Sequence, residues 1–247
     1  MALYQSITEN GQKLFRHRSF IPLILYPLAI ITIFIEKDSI LSTYELPFSL
    51  ICIAISLVGL IIRALVIGYV PEDTSGRNRY KQKAETLNTT GIYSAVRHPL
   101  YLGNFFMWLG IIIFVGHIWF ALVCVLLFWI YYERIMLTEE KFLIEKFGDR
   151  YHDWAQQTPA FIPNFSNWKK PSLSFYLKKV IKREHRGLVA VLISMGAIHL
   201  IKNYALYEKF KMDQFWLITT IAALCLFIFL RILIKTTNLF RTPRRAW

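Results

Sequence analysis

Cysteine is scarce in this chain: three in 247 residues, Cys52, Cys124 and Cys225, each inside an apolar run. No two of them have metal-ligand spacing, and the set is too small for a disulfide framework. All three are expected to be small buried hydrophobes. The six histidines are scattered, with no HxxxH or HExxH pair, so no metal site is expected. Charge is also in short supply. Charged residues make up 18% of the chain, against about a quarter in soluble domains. With 55% hydrophobic residues, this excludes a disordered chain and argues against a soluble domain. Acidic residues are the scarcest charged class, 16 against 29 basic ones, which leaves a net charge of +13. Such an excess points to nucleic acid or to a membrane surface, and its distribution decides between them.

The apolar runs are long. A membrane helix needs about 20 mostly apolar residues. Residues 19–35 carry no formal charge, residues 46–71 carry only Arg63, and residues 99–132 carry no charge beyond the ionisable His117, Cys124 and tyrosines. As one helix the last run would reach roughly 50 Å, well beyond a hydrocarbon core of about 30 Å. Gly116-His117 lies near its middle, so the run reads as a tight helical hairpin. Residues 187–201 and 214–230 complete an expected six spans. Residues 19–35 also have the basic flank of a signal peptide, but no small-residue cleavage site follows, and a retained helix is the better reading.

Lys and Arg cluster on alternate connections. The N-terminal tail, residues 71–98, residues 133–186 and the C-terminal end together hold 24 of the 29. The opposite connections hold Lys37, Lys202, Lys209 and Lys211. Six spans with both termini inside place all 24 on the cytoplasmic face, as the positive-inside rule expects. The basic excess therefore suits anionic lipid headgroups and requires no nucleic acid.

Within residues 71–98, residues 74–79 read as turn and loop, and Thr89-Thr90-Gly91 as a second turn. Pro99 suits the first position of the next helix. Residues 133–147 look like an extension of the fourth span ended by Gly148, followed by a short amphipathic stretch and the breakers Pro159 and Pro163. In residues 173–186, apolar and basic positions alternate as in an interfacial helix that anchors the chain before the fifth span. The fold class is thus all-α, a polytopic helical bundle with cytoplasmic interfacial helices. The expected division is a membrane core at 1–186 and two additional helices at 187–247.

Two stretches carry chemistry-bearing residues. The first is Tyr93, Arg97-His98-Pro99, Tyr101-Leu102-Gly103. Its basic pair stands where a helix begins, and free backbone N–H groups and the positive dipole end there favour an anion. A plain topogenic flank would account for Arg97 alone, but not for His98, Tyr93, Tyr101 and Gly103. The second stretch is Glu139-Glu140, Leu143, Phe147-Gly148, Tyr151, Trp154, Thr158-Pro159 and Ile162-Pro163. Adjacent carboxylates near a membrane surface are unfavourable unless paired or used.

In order, RHPxYxG, a hydrophobic hairpin, EExxLxxxFGxxYxxW and TPxxIP resemble the isoprenylcysteine carboxyl methyltransferase family, part of a wider group that includes phospholipid methyltransferases. The resemblance covers residues 90–163, and Trp154 stands where the family more often has Tyr. It implies a membrane enzyme that uses S-adenosylmethionine in a cytoplasm-facing pocket. By that resemblance His98, Tyr101, Glu139 and Glu140 would contact the cofactor. Tyr93, Leu102 and Gly103 would line the pocket, and Tyr151 would close it. Arg97 would pair with the cofactor carboxylate or orient the acidic pair, which makes Arg97 and Glu140 the candidate catalytic residues. No GxGxxG follows a strand, so a soluble Rossmann-type methyltransferase is excluded.

The acceptor is expected to be a lipid in the bilayer. Ile130 and Glu133 stand where eukaryotic prenylcysteine enzymes carry arginine. Arg77, Arg79 and Lys81 alternate along a polar loop and suit a phosphate, as a bacterial lipid A phosphate methyltransferase would need. Such an enzyme would sit in the bacterial inner membrane. A phospholipid N-methyltransferase, a carboxyl methyltransferase, a sterol-reductase-like NADPH enzyme and a non-catalytic membrane protein are the competing readings.

Overall fold

A computed structural model describes residues 2–18, 20–36, 45–71 and 84–240. Among these the architecture is all-α. Helix α1 is Ala2–His17, and after a 3-10 turn at Ile21–Ile24 comes α2, Leu25–Ile35. Then follow α3 (Glu45–Tyr69), the single turn α4 (Ile92–Ala95), α5 (Pro99–Phe114), α6 (Ile118–Phe147), α7 (Asp149–Gln157), α8 (Leu177–Tyr207) and α9 (Gln214–Thr236). The hairpin turns at the expected place. Pro99 opens α5, and Gly116 takes φ +92° between α5 and α6. Gly148 ends α6 at φ +53°.

Among the described residues, helix lengths support fewer than the expected six spans. Helices α3, α6, α8 and α9 are long and apolar enough to cross a membrane. The bent pair formed by the end of α1 and residues 21–35 makes a fifth at most, and α5 is shorter. At 16 residues, α5 is about 24 Å long. Nor is there a separate interfacial helix before the fifth span. The basic stretch from Leu177 belongs to α8, which runs through Gly187 without a break. Two of its polar residues have partners that hold them inside. Lys179 donates to the carbonyls of Val70 (2.6 Å) and Pro71 (3.2 Å), and Glu184 is ion-paired with Arg63. Cys52 and Cys124 are buried as expected, but Cys225 is exposed, because α9 packs chiefly on α8 and turns its other side outward.

Small residues set the close crossing of α3 and α5. A Cβ on Gly103 would lie 2.5 Å from Arg63 Cγ and 2.9 Å from the Gly59 carbonyl oxygen. Helix α1 packs along the far half of α6. Tyr131 donates to the Leu14 carbonyl (3.1 Å), and Phe15 joins Tyr101, Phe128, Tyr132, Ile135 and Met136 in one buried cluster. At one end of the bundle His117 meets Glu36 at 2.8 Å, and Lys202 donates to the Phe114 carbonyl. The candidate site lies at the other end.

Candidate active site

The two sequence blocks meet through their backbones. The Arg97 N–H donates to the Pro159 carbonyl (2.9 Å), the His98 N–H to Ala160 (3.2 Å), and the Asn164 N–H to Ala95 (2.9 Å). Prolines at 159 and 163 have no N–H to donate, so this stretch serves as a carbonyl rail. A second tie pairs Gly91 with Lys169: the Gly91 N–H donates to the Lys169 carbonyl at 2.9 Å, and Gly91 has φ +61°. Trp154 Nε1 donates to the Tyr93 carbonyl (3.2 Å) and so fastens α7 to α4. These contacts fix His98 as the N-cap of α5, its carbonyl accepting from the Tyr101 and Leu102 N–H groups.

Side chains then converge from α6. His98 is almost fully buried, with 4% of its side chain exposed. Its Nε2 lies 2.9 Å from Glu140 Oε1, and its Nδ1 lies 3.7 Å from Glu139 Oε2. Arg97 Nε is 3.4 Å from the same Glu140 oxygen. Burial works against the imidazolium, but the Glu139 and Glu140 carboxylates outweigh it and hold His98 above its ordinary pKa. Two basic and two acidic side chains thus meet in one cluster. The basic pair is engaged by the acidic pair rather than left open to an anion.

Two buried polar atoms lie beside Glu140. Arg97 Nε and the Tyr151 hydroxyl are both sealed from solvent and lack a hydrogen-bond partner of normal geometry. Burial, and next the Glu140 charge, push the Tyr151 hydroxyl up in pKa. Tyr93 is half-buried and is pushed up by burial and by Glu139. Tyr101 stacks on His98, with ring centres 5.8 Å apart. Leu102 and Gly103 make their contacts toward α3. Leu102 packs with Val66, Val70, Ile92 and Val96, and Gly103 abuts Arg63 on α3. Arg77, Arg79 and Lys81 lie outside the described residues. Among the described residues, no group of three or more His, Cys, Asp or Glu side chains could hold a metal ion.

Sequence reasoning missed four contributors, Arg63, Glu184, Asn104 and Tyr132. Arg63, visible as a lone charge in an apolar run, donates to Glu184 from Nε (2.7 Å) and Nη2 (2.8 Å), and to Asn104 Oδ1 from Nη1 (2.5 Å). Asn104 donates in turn to the Tyr132 hydroxyl (3.3 Å), and Tyr132 lies against Tyr101 with ring centres 5.0 Å apart. The single ionic residue in an apolar helix was the available signal for this network.

Residues 42–150 match the family model described as phospholipid methyltransferase. Over 84 residues the chain is 38% identical to a protein-S-isoprenylcysteine O-methyltransferase of Schizosaccharomyces pombe, covering 34% of this chain and 35% of that protein. It is 35% identical over 91 residues to a nickel-cobalt-cadmium resistance protein of Alcaligenes xylosoxydans xylosoxydans, covering 37% and 42% of the two chains. A methanethiol S-methyltransferase of Crocosphaera subtropica is 38% identical over 76 residues, covering 30% and 28%. The matched part therefore spans well under half the length of these relatives. No solved structure matches.

Proposed function

We propose that this chain, whose residues 42–150 carry the phospholipid methyltransferase segment, transfers a methyl group from S-adenosylmethionine to a lipid acceptor within the bilayer. The observation that carries this reading is the Arg97–His98–Glu139–Glu140 cluster, built around the buried His98, with the Arg97 Nε and the Tyr151 hydroxyl beside Glu140. The cofactor would supply an electrophilic methyl on a sulfonium. Glu139, with 27% of its side chain exposed, and the faces of Tyr101 and Tyr93 suit its positive groups. Arg97 keeps a fifth of its side chain exposed, and the guanidinium N–H groups that Glu140 does not engage suit the cofactor carboxylate, with Tyr151 closing the pocket beside Glu140. Glu140 holds His98 and Arg97 in place. The work of this chain in such a displacement is positioning and field, not proton transfer.

The finer reading is that the acceptor is a lipid phosphate, such as that of lipid A, in a bacterial inner membrane whose cytoplasmic face holds the site. Arg77, Arg79 and Lys81 support it by their chemistry. A phosphate monoester is anionic near neutral pH and needs no strong base. The second reading, favoured by the match to the isoprenylcysteine enzyme, is methylation of a lipid-linked carboxylate. Titration calorimetry of the purified chain with S-adenosylmethionine tests the common core. Absence of binding, or undiminished binding in His98→Ala and Glu140→Ala, would refute it. Lipid mass spectra of cells with and without the protein test the acceptor. One added CH2 on phosphorylated glycolipid supports the phosphate reading. The same gain confined to phosphatidylethanolamine or to prenylated cysteine overturns it.

A further inference from the structure

The Arg63–Glu184 pair lies away from the cofactor-facing cluster, and Glu184 stands on α8, beyond the segment that matches the methyltransferase family. An ionic pair inside an apolar bundle is costly, because both charges must be desolvated. Adhesion between helices could be had more cheaply from apolar residues. What the pair does instead is fix the direction of every hydrogen bond beyond it. A guanidinium can only donate. Asn104 must therefore turn Oδ1 toward Arg63, and its amide NH2 consequently faces Tyr132. Tyr132 Oη then accepts from Asn104, and its own proton points away from that bond. Its ring is held between Phe128 (4.1 Å between centres) and Tyr101 (5.0 Å). Tyr101 is the ring that stacks on His98.

We propose that Arg63 and Glu184 are positioning residues for the cofactor-facing wall, acting through Asn104 and Tyr132 on Tyr101 and His98. This rests on the methyltransferase reading above. It makes α8 part of the catalytic machinery, not an added membrane anchor. Gly103 belongs to the same device, because any side chain there would meet the stem of Arg63.

The test uses the full chain purified in nanodiscs, with S-adenosylmethionine affinity measured by calorimetry. Glu184→Gln and Tyr132→Phe are each expected to weaken binding roughly five- to tenfold. Together they should do little more than the worse single variant, because residues in one network are not additive. His199→Ala, toward the other end of α8, should combine additively with Glu184→Gln. Since Glu184→Gln leaves Arg63 unpaired and endangers folding, the double variant Arg63→Met/Glu184→Met replaces the pair by apolar side chains and is expected to fold. It should remain monodisperse yet still bind the cofactor more weakly. Wild-type affinity in that double variant, or additivity of Glu184→Gln with Tyr132→Phe, overturns the proposal. If the wild type itself binds no S-adenosylmethionine, the methyltransferase reading falls instead. A fluorotyrosine at position 132 then still reports on the coupling: its 19F resonance should move in Glu184→Gln, and an unmoved resonance sinks the inference.

Discussion

Replacing Glu140 by glutamine keeps the shape of the side chain and deletes one charge that serves two cations. Wild-type Glu140 Oε1 lies 2.9 Å from His98 Nε2 and 3.4 Å from Arg97 Nε. Removing one member of a buried pair costs about 3–5 kcal/mol when nothing compensates. Two features reduce that here. Glu139 remains 3.7 Å from the other ring nitrogen, and His98 is free to release its proton. Arg97 and Glu140 also keep about a fifth of their side chains exposed, which weakens their own pair. The expected loss is therefore about 1–2 kcal/mol at pH 6, or roughly 2–8 °C in thermal midpoint for a chain of this size.

The sign of the pH dependence follows from the direction of the His98 shift. Its folded pKa is raised. The stabilisation is full below the unfolded value of about 6.5 and is lost as pH rises through the raised folded value. Above that, His98 is neutral in wild type and variant alike, and only the Arg97 contact separates them. The gap in midpoint should thus be widest near pH 6 and shrink toward pH 9. Thermal unfolding in detergent, followed by the seven tryptophans, measures it. A gap that is constant with pH, or that widens in alkali, would refute the assigned cluster. So would an unchanged pH dependence when the comparison is repeated in a His98→Gln background.

Three further substitutions probe the scaffold. Gly91→Ala places a side chain at φ +61° beside Pro171 and should cost about 1–3 kcal/mol, with loss of cofactor binding because the tie to Lys169 fails; a neutral midpoint would contradict this. Lys179→Met strips the Val70 and Pro71 carbonyls of their buried donor and should lower stability by about 1–3 kcal/mol in the same melting assay. Gly103→Val drives a branched side chain into Arg63 and Gly59, and should cost about 1–3 kcal/mol or more while weakening cofactor affinity in calorimetry.

What could be read from the sequence was local. A 34-residue apolar run cannot remain one helix, and Gly116-His117 was the place to fold it. Gly148 and Pro99 announced helix ends by their backbone chemistry. The acidic pair and Arg97-His98 were visible as types, and their meeting 42 residues apart came from the family pattern. What stayed hidden was long-range or masked by composition. Glu184 lies 121 residues from Arg63 and looked like one charge in a basic stretch. That stretch reads as a membrane-surface helix, because alternation of apolar and basic residues does not show which of them find partners inside. Helix α1 carries no long apolar run, so nothing announced that it would cover the ring cluster around Tyr132. The Pro159–Ala160 carbonyl rail is a backbone contact and has no side-chain signature.

The shortness of α5 sets the depth of the chemistry. Its far end is level with the other helix ends, since His117 meets Glu36 and Lys202 caps Phe114. Set with that end at one surface of a core about 30 Å thick, a rod of about 24 Å would stop roughly 6 Å short of the other. His98, fixed at the opposite end of α5, would then sit below the plane in which lipid headgroups ordinarily lie. A lipid acceptor would reach it by settling slightly into its own leaflet, with no need to be lifted out into water. The polar cofactor, arriving from solvent, would have to descend to meet it.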